Sequence, residues 1–69
     1  MATTLTHTAS QFEELDYREA DGLEVSLLWN RHDGSLSVYV VDSHSTTSFE
    51  LAAPSDRARD VFLHPFAYA

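Results

Sequence analysis

Three runs in this 69-residue chain, FEELDYREA, LEVSLLWN and SLSVYVVD, alternate apolar with polar side chains and are separated by turn-forming residues. Alternation with a period of two places successive side chains on opposite faces of a strand, so each run reads as half of a sheet with one apolar face. The second and third runs are also rich in β-branched and aromatic residues, which fit a pleated surface. TSFELA, Thr47 to Ala52, supplies a shorter fourth strand. Asp21-Gly22, Asp33-Gly34 and Ser43-His44-Ser45-Thr46 lie between the runs and carry turn chemistry. The expected fold is α+β: a four-stranded antiparallel β-meander with one short C-terminal helix packed on one face.

That helix is expected after Pro54, with Ser55 as N-cap and Asp56 in the first turn. Ala58, Val61 and Phe62 fall at i, i+3 and i+4, and His64-Pro65 ends the run. Met1 to Gln11, rich in Thr and Ser and without periodicity, reads as a disordered or weakly ordered lead-in, which leaves residues 12–69 as a single domain.

Register follows from parity, because a slip of one residue turns every side chain to the other face. With Arg31 to Gly34 as a loop, Trp29 lies opposite Leu36, Leu27 opposite Val38 and Val25 opposite Val40. With Ser43 to Thr46 as the next loop, Val40 meets Phe49 and Val38 meets Leu51 on the same face. For the first hairpin, a two-residue Asp21-Gly22 turn would set Asp16 beside Leu27 and Glu14 beside Trp29. A three-residue loop, Ala20 to Gly22 with Gly22 left-handed in a bulge, instead brings Tyr17 opposite Val25 and Leu15 opposite Leu27. The expected inner face is then Leu15, Tyr17, Val25, Leu27, Trp29, Leu36, Val38, Val40, Phe49 and Leu51. The outer face carries Glu14, Asp16, Arg18, Glu24 and Glu50 around Leu28, Tyr39 and Val41, with Arg18 opposite Glu24.

Composition limits the function classes. A domain of this size buries only about 60% of the surface its unfolded chain exposes, so a partner would add to its stability. There is no cysteine, hence no disulfide or thiolate metal site. The chain start has neither the basic residues nor the apolar stretch of a signal peptide, and Val38 to Val41, the longest apolar run noted, is too short to cross a bilayer; the expected localisation is cytoplasmic. Eleven acidic residues against four arginines and no lysine give a formal charge of −7. That charge disfavours direct contact with nucleic acid or an anionic membrane and favours a protein partner or a second copy.

The chemistry-bearing residues form no assembled site. His32 and His44 flank the third strand and are some 25 Å apart at ~3.3 Å per residue, while His7 and His64 lie near the two chain ends. No metal ligand set is assigned. Asp42-Ser43-His44 resembles a hydrolytic triad only in order, since successive turn residues diverge, and the side chains of Asp42, Ser43 and Ser45 are better employed on nearby backbone amides. Two glycines provide no phosphate cradle, and without lysine there is no Schiff-base chemistry. The expectation is a non-enzyme without a cofactor.

The order DGLEVSLLW, SLSVYVVD, SFELA and a short Asp- and Arg-containing helix ending in HPFAYA resembles short uncharacterised proteins of high-GC Gram-positive bacteria, the actinobacteria. The resemblance covers Tyr17 to Ala69. Its most specific parts are the D-G-(L or I)-E-V stretch at Asp21 to Val25 and the HPFAYA end. It implies no reaction and transfers no site residue. A chain whose only strong bases are arginines is compatible with the GC-rich genome the resemblance implies.

Three functional expectations result. The first is an interaction or regulatory module whose candidate surface comprises Leu28, Tyr39, Val41, Thr47, Glu14, Asp16, Glu24 and Glu50. The second is an acidic mimic of nucleic acid, binding a basic protein site through Glu14, Asp16, Glu24 and Glu50. The third is a small hydrolase or metal binder. The HPFAYA tail either folds back over the core near Trp29 or extends to another protein, and the small core favours folding back.

Overall fold

The computed structural model describes residues 11–69. The lead-in expected over Met1 to Gln11, and His7 within it, lie outside the described residues except for Gln11, whose carbonyl accepts from the Arg31 N–H at 2.7 Å. Four strands, β1 (Phe12–Ala20), β2 (Leu23–Asn30), β3 (Leu36–Asp42) and β4 (Thr47–Ala52), form one antiparallel sheet in the order β1-β2-β3-β4. Among the described residues a single six-residue helix, α1 (Ala58–Leu63), packs against β2 and β3, and a 3-10 turn spans Pro65–Ala67.

From β2 onward the register is the one parity dictates. Trp29 pairs with Leu36, Leu27 with Val38 and Val25 with Val40, then Val40 with Phe49 and Val38 with Leu51. Val25, Val38, Val40 and Val61 are fully buried, and Ala53, Ala58 and Phe62 complete the core. Each such valine contributes about 1.5–3 kcal/mol of burial free energy. Leu23, Leu27, Leu36, Phe49 and Leu51 pack around this centre half-buried.

The first hairpin corrects the expected register. Ala20 pairs with Leu23, so Asp21-Gly22 is a two-residue turn. Both turn residues have positive φ, 53° and 76°, the backbone of a type I′ turn for which Asp-Gly is suited. Arg18 therefore faces Val25, Asp16 faces Leu27 and Tyr17 faces Ser26. Leu15 and Tyr17 are not inner-face residues; both are exposed, at 49% and 43%.

Two features remove the objection to this register. An irregularity between Glu14 and Asp16 moves Glu14 opposite Leu28 and sets Glu13 opposite Trp29, where Arg31 pairs with it at 3.3 Å. The helix, moreover, packs chiefly on β2 and β3, so the inner side of edge strand β1 is open to water at Asp16, which is exposed there. No carboxylate is buried among the described residues. A parity rule that holds where the helix covers the sheet does not bind beyond it.

Six residues are too few for an isolated helix, so α1 depends on its tertiary contacts. Its buried positions, Ala58, Val61 and Phe62, are those the periodicity selects. The N-terminus differs from expectation. Arg57 occupies the cap position without a side-chain cap bond, and Ser55 and Asp56 belong to the preceding turn, closed by the Arg57 N–H on the Pro54 carbonyl at 2.8 Å. At the other end His64 donates its N–H to the Asp60 carbonyl, and Pro65 cannot continue the ladder.

Candidate interaction surface

The sheet's outer face, the side away from α1, follows from the pairing ladder. Tyr17, Ser26, Tyr39 and Glu50 form one row across all four strands. On one side of it lies the row Glu19, Glu24, Val41 and Ser48, and on the other Glu14, Leu28, Ser37 and Ala52. Leu28 and Val41 are half-buried, whereas Tyr39, Glu14, Glu24 and Glu50 are exposed. Six of the eight candidate residues thus share this face; Thr47, exposed at the start of edge strand β4, pairs with Asp42 in the row of Leu23, on the helix side. Asp16 does not share it either, because the two-residue turn puts it on the helix side opposite Leu27.

The same turn exchanges two other residues between the faces. Arg18, expected opposite Glu24, faces Val25 instead, and Glu24 meets Glu19. Like charges directly opposite each other on adjacent strands are mutually destabilising. Tyr17 arrives on the outer face in place of Arg18. Its hydroxyl is held above the ordinary tyrosine value by partial desolvation first, and then by Glu19, Glu24 and Glu14, all of which oppose a phenolate. Parity in the sequence puts Tyr17 on the inner face, although Asp-Gly between alternating runs is a strong signal for the turn that places it outside.

On the helix side, Arg18 reaches α1. Nε and Nη2 donate to the Phe62 carbonyl at 3.1 and 2.9 Å, Nη2 also to the Leu63 carbonyl at 3.1 Å, and the guanidinium carbon lies 5.5 Å from the centre of the Phe62 ring. The tail folds back, but away from Trp29. Phe66 packs on Phe49 with ring centres 5.6 Å apart and Tyr68 donates to Asp60. A shallow groove of about 420 Å³ lies between Arg18, Leu23, Leu63 and Phe66.

The described histidines are solvent-facing, and the polar side chains of the triad-like turn bond within the turn and to its neighbour. His32, His44 and His64 are exposed, and among the described residues no three His, Cys, Asp or Glu side chains gather as a metal site. Asp42 Oδ1 accepts from the His44 and Ser45 N–H groups, and Ser43 Oγ donates to the Gly22 carbonyl at 2.9 Å. Ser45 Oγ bonds with Thr47 Oγ1 rather than with an amide. In the β2–β3 loop Asp33 Oδ1 accepts from the Ser35 N–H; hydrogen bonding to Ser35 lowers the Asp33 carboxyl below its ordinary value.

Comparison with family models, with curated proteins and with solved structures found no match. Among the described residues no helix is long and apolar enough to cross a membrane.

Proposed function

We propose that this chain is a non-catalytic protein-interaction module that works through the outer face of its sheet. The observation that carries this reading is the asymmetry of the two faces. One is covered by α1, while on the other, among the described residues, no helix or strand lies over Tyr17, Leu28, Tyr39 and Val41. Large apolar and aromatic side chains grouped on a solvent face, rimmed by charge, are the composition of a protein-binding patch. The occupant is another protein or a second copy of the chain. The β4 edge offers an adjoining route, since Thr46-Thr47-Ser48 carries neither the charge nor the proline that usually guards a free edge.

Acidic mimicry of nucleic acid is the second reading, favoured by Glu14, Glu19, Glu24 and Glu50 sharing one face without an arginine. Asp16 has no part in it.

Sedimentation and affinity capture from the source cell test the proposal with two variants, Tyr39→Glu on the face and Thr47→Lys on the edge. A partner or a dimer lost with Tyr39→Glu and kept with Thr47→Lys supports the face; the reverse assigns binding to the edge. Binding indifferent to both, or a strict monomer that captures nothing, overturns the proposal. A mimic's affinity collapses as salt rises, whereas an apolar interface persists.

A further inference from the structure

The outer face is crossed by a row in which a small side chain stands between two large ones. Tyr17 pairs with Ser26, and Ser26 pairs with Tyr39. The two tyrosines therefore stand on strands separated by one, with backbones about 9.5 Å apart at the usual strand spacing. Two aromatic walls at that separation leave room for one planar group between them, above the Ser26 hydroxymethyl. Tyr17 and Tyr39 are 43% and 39% exposed, so both walls are open to a ligand.

The two ends of this slot differ in chemistry. Beyond one end, Glu24 follows on β2 and faces Glu19 across the strand pair. Beyond the other lies Leu28, flanked by Ser37. A lysine ammonium, compact and strongly hydrated, would pair with the carboxylates but stack less well on the aromatic walls. A guanidinium on its three-carbon stem would use all of them: a flat cation for the rings, paired N–H donors for the carboxylates, and methylenes for the leucine.

No cation of the chain neutralises these carboxylates through an ion pair among the described residues. Arg18 is on the other face, bonded to the carbonyls of Phe62 and Leu63, and Arg31 is paired with Glu13. A second copy carries the same charge of −7, which charge complementarity disfavours as the occupant.

We infer that Tyr17 and Tyr39, on either side of Ser26, form a slot for an arginine side chain of a basic protein partner, with Glu24 and Glu19 receiving its guanidinium. This rests on the outer face being the interaction surface and names the chemistry of what it binds.

Amide NMR titration of the full chain with acetyl-Gly-Arg-Gly-Arg-Gly-amide and with its lysine counterpart tests the slot. The expected result is a set of shifts centred on Tyr17, Ser26 and Tyr39, with the arginine peptide bound about two- to fivefold more tightly than the lysine one. Tyr17→Leu, an exposed change that leaves the thermal melt in place, abolishes that preference; Glu24→Gln weakens both peptides. Equal affinity for the two peptides, shifts centred elsewhere, or a preference that survives Tyr17→Leu overturns the inference. Should the Tyr39→Glu variant still lose its partner in the capture experiment, a failed arginine preference removes the slot and leaves the face as the interaction surface. If Tyr39→Glu loses nothing, the surface itself is wrong, and the slot with it.

Discussion

Arg18 and Phe62, forty-four residues apart, are joined by two hydrogen bonds from one guanidinium to one carbonyl, and the same guanidinium lies 5.5 Å from the Phe62 ring centre. The contact ties the edge strand to the last turn of a helix that packs chiefly on the two middle strands. It also supplies donors to carbonyls that the helix end leaves without intrahelical partners.

Arg18→Ala is accordingly expected to cost about 1–3 kcal/mol, the range for charge-assisted bonds to partly buried groups. Urea melts measure the loss. Hydrogen exchange locates it, with faster exchange in α1 and little change in β3. Arg18→Lys should recover only part, because an ammonium cannot bridge the Phe62 and Leu63 carbonyls as the fork does. An Arg18→Ala protein as stable as wild type would make the contact incidental.

Gly22 and Gly34 both have positive φ, 76° and 74°, but their surroundings differ. A methyl group at Gly22 would come within 2.8 Å of the His44 ring and of Ser43 Oγ, whereas at Gly34 the nearest atom within reach is Trp29 Nε1 at 4.0 Å. Gly34→Ala should therefore cost about 1–2 kcal/mol for the left-handed backbone alone. Gly22→Ala should cost more, and His44→Ala in the same chain should recover part of the excess. Equal melting temperatures for the two glycine variants would contradict the packing of His44 on the first turn.

Val38→Ala removes buried methyl groups from the centre of the core, where the side chain is fully enclosed. The expected loss is about 2–4 kcal/mol, a large share of the stability of so small a domain. Leu27 is only half-buried, so Leu27→Ala should cost less, about 1–2 kcal/mol. Denaturant midpoints for the pair give the comparison, and a costlier Leu27 change would relocate the core.

Tyr68 is held above its ordinary value of 10.0, first by its hydrogen bond to Asp60 and then by desolvation, with Arg57 acting in the opposite direction. The folded chain favours the neutral phenol. This contribution is fully present below the ordinary tyrosine value and is lost as pH rises through the higher folded value, so the tail should release on the alkaline side above about pH 10. Ultraviolet titration of the phenols, with Tyr68→Phe to separate its ionisation from that of Tyr17, which is also raised, provides the measurement. Asp60→Asn should bring that ionisation earlier; no change would mean that the carboxylate is not its partner.

Wherever an apolar alternation meets a covered face, the sequence by itself determines the structure. Burial on one side leaves only one register for β2, β3 and β4, which is why Trp29 with Leu36, Val25 with Val40 and Val38 with Leu51 are legible in the chain. Ala58, Val61 and Phe62 are legible for the same reason, as is the stop at His64-Pro65. Leu28, Tyr39 and Val41 then follow on the other face by parity.

Only the tertiary structure decided β1 and the tail. Parity dictates a register only where the inner face is covered. The helix packs chiefly on β2 and β3, so Asp16 can face Leu27 in water while Arg18 replaces an apolar residue by reaching the helix carbonyls. That reach depends on where α1 lies, which nothing local to β1 encodes. The same placement brings Phe66 to Phe49, in the row of Val25 and four residues along β2 from Trp29. The outer face owes its tyrosine pair and its unopposed glutamates to this outcome, because the hairpin register that sends Arg18 inward turns Tyr17 and Glu19 out.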